Sequence, residues 1–136
     1  MQKVGRLELT WVGKYEEDRF EPRILIEDKE KSYGDASSDN MLIHGDNLLA
    51  LKALERDYTG KIRCIYIDPP YNTGNAFEHY DDDLEHSIWL NMLYKRIRIL
   101  HSLLAENGTL WISIDSTEGH YLKVMCDEIF GRSNFV

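Results

Sequence analysis

Cysteine, basic charge and long apolar runs are all scarce in this 136-residue sequence, and each scarcity removes a class of protein. Two cysteines are too few for a disulfide framework; Cys64 in an apolar strand pattern and Cys126 in a helical one are expected as buried thiols of a reducing compartment. The five histidines show no metal-ligand spacing with them, so no metal is expected. With 16 basic against 24 acidic residues the formal charge is −8, which excludes this stretch as the sole electrostatic footprint of a duplex-binding protein. No segment approaches the roughly 20 apolar residues that span a bilayer, and the start, M-Q-K-V-G-R-L-E-L-T-W, lacks a hydrophobic leader. A soluble, cytoplasmic chain with no membrane contact is the expectation. Its length allows one domain with a real core, small for an enzyme that must hold both a cofactor and a macromolecule.

Periodicity then orders the chain. Residues 1–40 are charge-rich and irregular, an arm expected to pack on the domain surface, with a short β-like piece at Leu7, Leu9 and Trp11, an apolar triplet at 24–26 and a polar linker from Tyr33 to Asn40. Met41 to Ile43 reads as a short strand. Gly45-Asp46-Asn47 reads as a turn with capping residues ahead of Leu48, Leu51, Leu54 and Tyr58 at helical spacing, closed by Gly60. Residues 62–67 read as a buried parallel strand, which would set Asp46 and Asp68 on one carboxyl edge. Asn72 to Asp83 reads as a loop over that edge. A long helix over about 86–106, capped by Ser87, carries Leu90, Leu93, Ile97, Leu100 and Leu104 on an apolar face, and Lys95, Arg96 and Arg98 toward solvent. Asn107-Gly108 should stop it. Thr109 to Asp115 reads as a further strand, and a last helix, capped by Ser116 or Thr117, buries Leu122, Met125 and Ile129 before Gly131. The fold class is α/β, an incomplete parallel sheet with covering helices.

Chemistry concentrates at I-Y-I-D-P-P-Y-N-T-G, residues 65–74. Pro69 and Pro70 fix their own φ and restrict the residues before them, so the Asp68 carboxylate, the proline carbonyls and the Tyr71 ring have little conformational freedom at the end of a strand. In open α/β sheets ligands bind at that end. A carboxylate beside a backbone carbonyl offers two acceptors to an exocyclic amine, and an aromatic face offers a platform for a planar base. A proline-terminated strand with a packed tyrosine is the plainer reading for any one of these residues. The four together should arise by chance in on the order of one average chain in a thousand.

With these residues laid out, the chain resembles the amino-terminal part of an adenine-specific DNA methyltransferase, of the modification-subunit type in type III restriction systems with permuted motif order. The resemblance rests on L-I-H-G-D-N-L-L-A-L-K-A-L-E, I-Y-I-D-P-P-Y-N-T-G and L-W-I-S-I-D. It implies a partial S-adenosylmethionine-dependent methyltransferase fold of the Rossmann-like kind over residues 41–136. It also implies transfer of a methyl group from S-adenosylmethionine to the N6 amine of an adenine flipped out of double-stranded DNA. Asp68, Pro69, Pro70 and Tyr71 would be catalytic. Asp46 and Asn47 would meet the cofactor, and Tyr71, Asn72, Thr73 and Gly74 the base. A restriction subunit or a second methyltransferase chain would be the protein partner.

One departure stands out. The family's glycine-rich cofactor turn needs glycines close together, and the nine glycines here (5, 13, 34, 45, 60, 74, 108, 119 and 131) never lie two apart. Ser116 also stands where many relatives carry a second acid. The chain is therefore expected to lack that turn and the target-recognition region, and to be inactive by itself. N4 methylation of cytosine, and a non-catalytic truncated or assembly subunit, are the alternatives. The family's topology further implies parallel pairing of the 62–67 and 109–115 strands, with the strand at 41–44 detached or carrying few ladder bonds to them.

Overall fold

In the computed structural model, residues 8–16, 23–35, 37–73 and 85–136 are described. Helix α1 spans Asn47–Tyr58, strand β1 Ile62–Ile67, helix α2 His86–Leu103, strand β2 Leu104–Ile112 and helix α3 Gly119–Phe130, followed by a single 3₁₀ turn at Arg132–Asn134. The two strands pair in parallel, with Ile65 opposite Leu110, Tyr66 opposite Trp111 and Ile67 opposite Ile112. That pairing matches the expected one.

Helix α2 organises the rest because its apolar residues recur every three or four positions. Trp89, Leu90, Leu93, Ile97, Ile99, Leu100 and Leu103 are all buried. The first four meet Leu122 and Met125 of α3 in one cluster, with Ile112, Ile114 and Ile129 packed against it. Burial of each such large side chain contributes about 1.5–3 kcal/mol, so this helix pair and one sheet face carry most of the stability. Residues 8–16 join the same structure. Trp11 stands edge-on to Tyr94, ring centroids 5.2 Å apart, and the Lys14 ammonium donates to Glu128 at 2.8 Å and to Glu8 at 3.2 Å.

Several expectations need correcting. Residues 41–44 form no strand, since a strand requires a ladder partner and among the described residues the sheet consists of β1 and β2. Asp46 therefore does not sit on a strand edge beside Asp68. Leu9 and Trp11 are likewise not in a strand, and Leu7 lies outside the described residues. The arm expected to pack on the surface does so only over residues 8–16, because residues 23–35 and 37–40 are exposed throughout. The polar linker has little apolar surface to bury, its Tyr33 being fully exposed, and Ile24 and Ile26 are themselves exposed.

Strand β1 is not buried on both faces. Cys64, Tyr66 and Trp111 lie on an open face, with Tyr66 65% and Trp111 62% exposed, so Cys64 is an exposed thiol. Helix α2 is capped by Glu85, whose carboxylate accepts from the Ile88 amide, instead of by Ser87. It ends at Leu103 instead of Glu106, because its Ser102 and Leu103 carbonyls accept from the Gly60 and Lys61 amides. Asn107-Gly108 thus falls inside β2, within an irregularity that separates the Ile62–Leu104 pair from the Cys64–Thr109 pair. Helix α3 starts after Glu118 with no side-chain cap from Ser116 or Thr117. Among the described residues no helix is long and apolar enough to cross a membrane, and no cluster of potential metal ligands forms.

Candidate active site at the carboxyl end of the sheet

Strand β1 delivers its next residue, Asp68, to the carboxyl end of the parallel pair, exposed. The corner is closed from the neighbouring strand, where the Ser113 amide donates to the Ile67 carbonyl at 3.0 Å. Past it, Pro69, Pro70, Tyr71 and Asn72 are half-buried. The indole N–H of Trp89, a residue with no exposed surface, donates to the Pro70 carbonyl at 2.8 Å. Two proline rings and one buried donor thus hold the turn.

Tyr71 follows this fixed carbonyl. Partial burial, then the neighbouring Asp68 carboxylate, push its phenol above the usual tyrosine range, while the Ser113 hydroxyl works the other way. The phenol therefore stays protonated well into alkaline solution. Ser113 also shares a hydrogen bond of 2.7 Å with the Tyr66 hydroxyl. Asp68, Tyr71, Ser113 and Tyr66 form one polar group at the sheet end, with an anionic acceptor and an aromatic ring side by side.

Asn72 adopts φ 60°, the only positive φ outside glycine among the described residues. Its amide nitrogen donates to Glu118 Oε1 at 2.7 Å. That same oxygen meets His86 Nδ1 at 2.9 Å. Thr73 is exposed, and Gly74 lies outside the described residues, as does most of the loop expected over the site. Asp115 serves its own turn, accepting from the Thr117 amide at 2.8 Å.

Asp46 and Asn47 occupy a different element, the start of α1. Asp46 Oδ1 accepts from the Leu48 and Leu49 amides at 2.9 and 3.1 Å, the helix-cap role its position suggests. Asn47 Oδ1 accepts from Arg96 Nε of α2 at 2.7 Å. Arg96, expected toward solvent, is half-buried in this contact. Three residues that shape the site, Trp89, Ser113 and Glu118, were not among the sequence candidates. Only Ser113 had a signal, as the polar residue interrupting the apolar run just before Asp115.

A family model described as DNA methylase matches residues 62–136, more than half of the chain. The chain is 44% identical over 99 residues to the probable type III restriction-modification enzyme HindVI Mod subunit of Haemophilus influenzae, covering 73% of this chain and 13% of that protein. It is 36% identical over 164 residues to the type III restriction-modification enzyme EcoPI Mod subunit of Escherichia phage P1, covering 94% of this chain and 25% of that one. A third relative, the type II methyltransferase M.KpnI of Klebsiella pneumoniae, is 37% identical over 110 residues, covering 75% and 26%. The chain spans between 13% and 26% of the length of these relatives.

Proposed function

The chain belongs to the DNA methylase family, and from that membership we propose that it is the catalytic-loop part of an adenine-specific DNA methyltransferase within a restriction-modification enzyme. The observation that carries the reading is the Asp68 to Tyr71 corner, with an exposed carboxylate beside a phenol and a carbonyl chain locked by Trp89. Two acceptors, the Asp68 carboxylate and the Pro69 carbonyl, sit on a backbone restrained by the two proline rings and suit the two N–H donors of an adenine N6 amine. The ring of Tyr71 suits stacking on a base taken out of the duplex. An aromatic amine is a poor nucleophile because its lone pair is delocalised into the ring. Acceptors held in place favour the geometry and the positive charge that develop on the nitrogen.

For the cofactor, the residues present fit one end of S-adenosylmethionine. With Asp46 Oδ1 on two amides and Asn47 Oδ1 on Arg96, the second Asp46 oxygen and the Asn47 amide nitrogen suit the hydroxyls and ring nitrogens of an adenosine. When bound, S-adenosylmethionine supplies the sulfonium methyl group. In the same reading residues 1–40 are an arm and residues 41–136 part of the catalytic domain, which acts with a restriction subunit on double-stranded DNA.

Radiolabelled methyl transfer to DNA by the full-length enzyme containing this chain, followed by nucleoside analysis, tests the proposal. N6-methyladenine is the expected product. N4-methylcytosine, or no methylated base, would refute it.

A further inference from the structure

Glu118 is a carboxylate with 3% exposure at the start of α3, and its second oxygen meets no hydrogen-bond donor among the described residues. A buried acceptor left without a donor costs on the order of 1–3 kcal/mol, more when charged. The first oxygen carries two contacts, from Asn72 Nδ2 at 2.7 Å and from His86 Nδ1 at 2.9 Å. One contact reaches the residue after Tyr71, the other the first residue of α2.

Tyr71 is thus bracketed. On its amino side the Pro70 carbonyl is held by Trp89, and on its carboxyl side Asn72 is held by Glu118 in a left-handed conformation that asparagine adopts at some cost. The two holding groups come from different elements and are both buried. With the chain held on both sides, the backbone of Tyr71 cannot re-orient without breaking one of these bonds, so the direction in which its side chain leaves the chain is set.

We infer that Glu118 is a positioning residue for methyl transfer, holding Asn72 so that the Tyr71 ring is set for the incoming base. This rests on the adenine methyltransferase reading, but the bracket can be tested without it. Glu118→Gln keeps an acceptor oxygen and removes the charge; Glu118→Ala removes both.

In the full-length enzyme, Glu118→Ala should lower kcat by about 10- to 100-fold, with KM for DNA changed less than about threefold. Glu118→Gln should restore most of the rate. Asn72→Ala should lower kcat similarly, and the double variant Asn72→Ala with Glu118→Ala should be no slower than the worse single variant, since both act through one contact. Nuclear magnetic resonance gives an activity-independent reading: the Asn72 side-chain amide and the Tyr71 ring resonances should shift in Glu118→Ala while the amides of α3 keep their exchange protection. Uniform loss of protection across α3, additive rate effects of the two alanine variants, or unchanged Asn72 and Tyr71 resonances would each overturn the inference. Failure of the wild-type enzyme to methylate adenine, with the local resonance shifts still seen in Glu118→Ala, would refute the functional reading and leave the bracket standing.

Discussion

The buried indole of Trp89 donates to the carbonyl of Pro70 across 2.8 Å, joining the middle of the hydrophobic core to the residue before Tyr71. The same side chain that packs with Leu90, Leu93 and Met125 therefore aims the exposed end of β1. Packing and site geometry are coupled through one N–H.

Trp89→Phe keeps an aromatic ring and removes the donor. We expect a loss of about 1–3 kcal/mol of stability, combining a lost hydrogen bond and reduced packing, measured as the shift in urea midpoint at constant slope. Methyl transfer should fall further than the fraction of folded protein accounts for. A variant with wild-type kcat per folded molecule would show that Pro70 needs no such support.

Gly108 lies where β2 departs from regular pairing. A Cβ there would meet the Ile62 carbonyl oxygen and Leu104 Cδ2, each at 2.8 Å. The backbone oxygen belongs to the ladder and cannot swing aside, so Gly108→Ala should destabilise the chain by about 1–3 kcal/mol. Thermal or urea unfolding checks this. A neutral substitution would mean that the two strands separate easily at their amino ends.

That glycine also shows what was legible in advance. The apolar run of β1, the apolar face of α2 and the Asp68 corner follow from local pattern and strand-end chemistry, whereas the parallel pairing of β1 with β2 followed from the family resemblance. Asn107-Gly108 resembles a helix stop because a local rule reads it so, whereas α2 already ends where Gly60 and Lys61 supply amides to Ser102 and Leu103. Those partners are some forty residues away in sequence, beyond any local signal. Trp89 and Glu118 were hidden for the same reason: an apolar-face tryptophan and a turn glutamate acquire roles only through contacts with Pro70 and Asn72. The exposure of Cys64 was not legible because a largely apolar strand does not reveal that only one sheet face is covered.

The two thiols should consequently differ in reactivity. Burial pushes Cys126 up to about 11, with Asp127 adding to it, so at pH 8 only about one thiol in a thousand is ionised there. Cys64 is exposed. Titration of the native 136-residue chain with a chromogenic disulfide should show one thiol reacting promptly and the second only on unfolding. Two equally fast thiols would contradict the packing of α3.

Lys14 ties the arm to α3, its side chain 1% and that of Glu128 7% exposed. Burial works to lower its pKa, but hydrogen bonds to Glu128 and Glu8 outweigh it, and the ammonium ends above the ordinary lysine range. A raised lysine pKa contributes stability that is complete below the unfolded value and is lost as pH rises through the folded one. The contribution is therefore intact at neutral pH and disappears only in strong alkali. Lys14→Met removes the cation facing Glu128 and should cost about 3 kcal/mol at pH 7, read by urea unfolding. Wild-type stability in that variant would mean that residues 8–16 rest on the domain without supporting it.

If Asp68 acts on the amine and not on the cofactor, Asp68→Ala in the full-length enzyme should lower kcat for methyl transfer to DNA by about a thousandfold or more, with the S-adenosylmethionine Kd, measured on the same preparation, within about threefold of wild type. Retained methyl transfer, or loss of cofactor binding in parallel with activity, would contradict it.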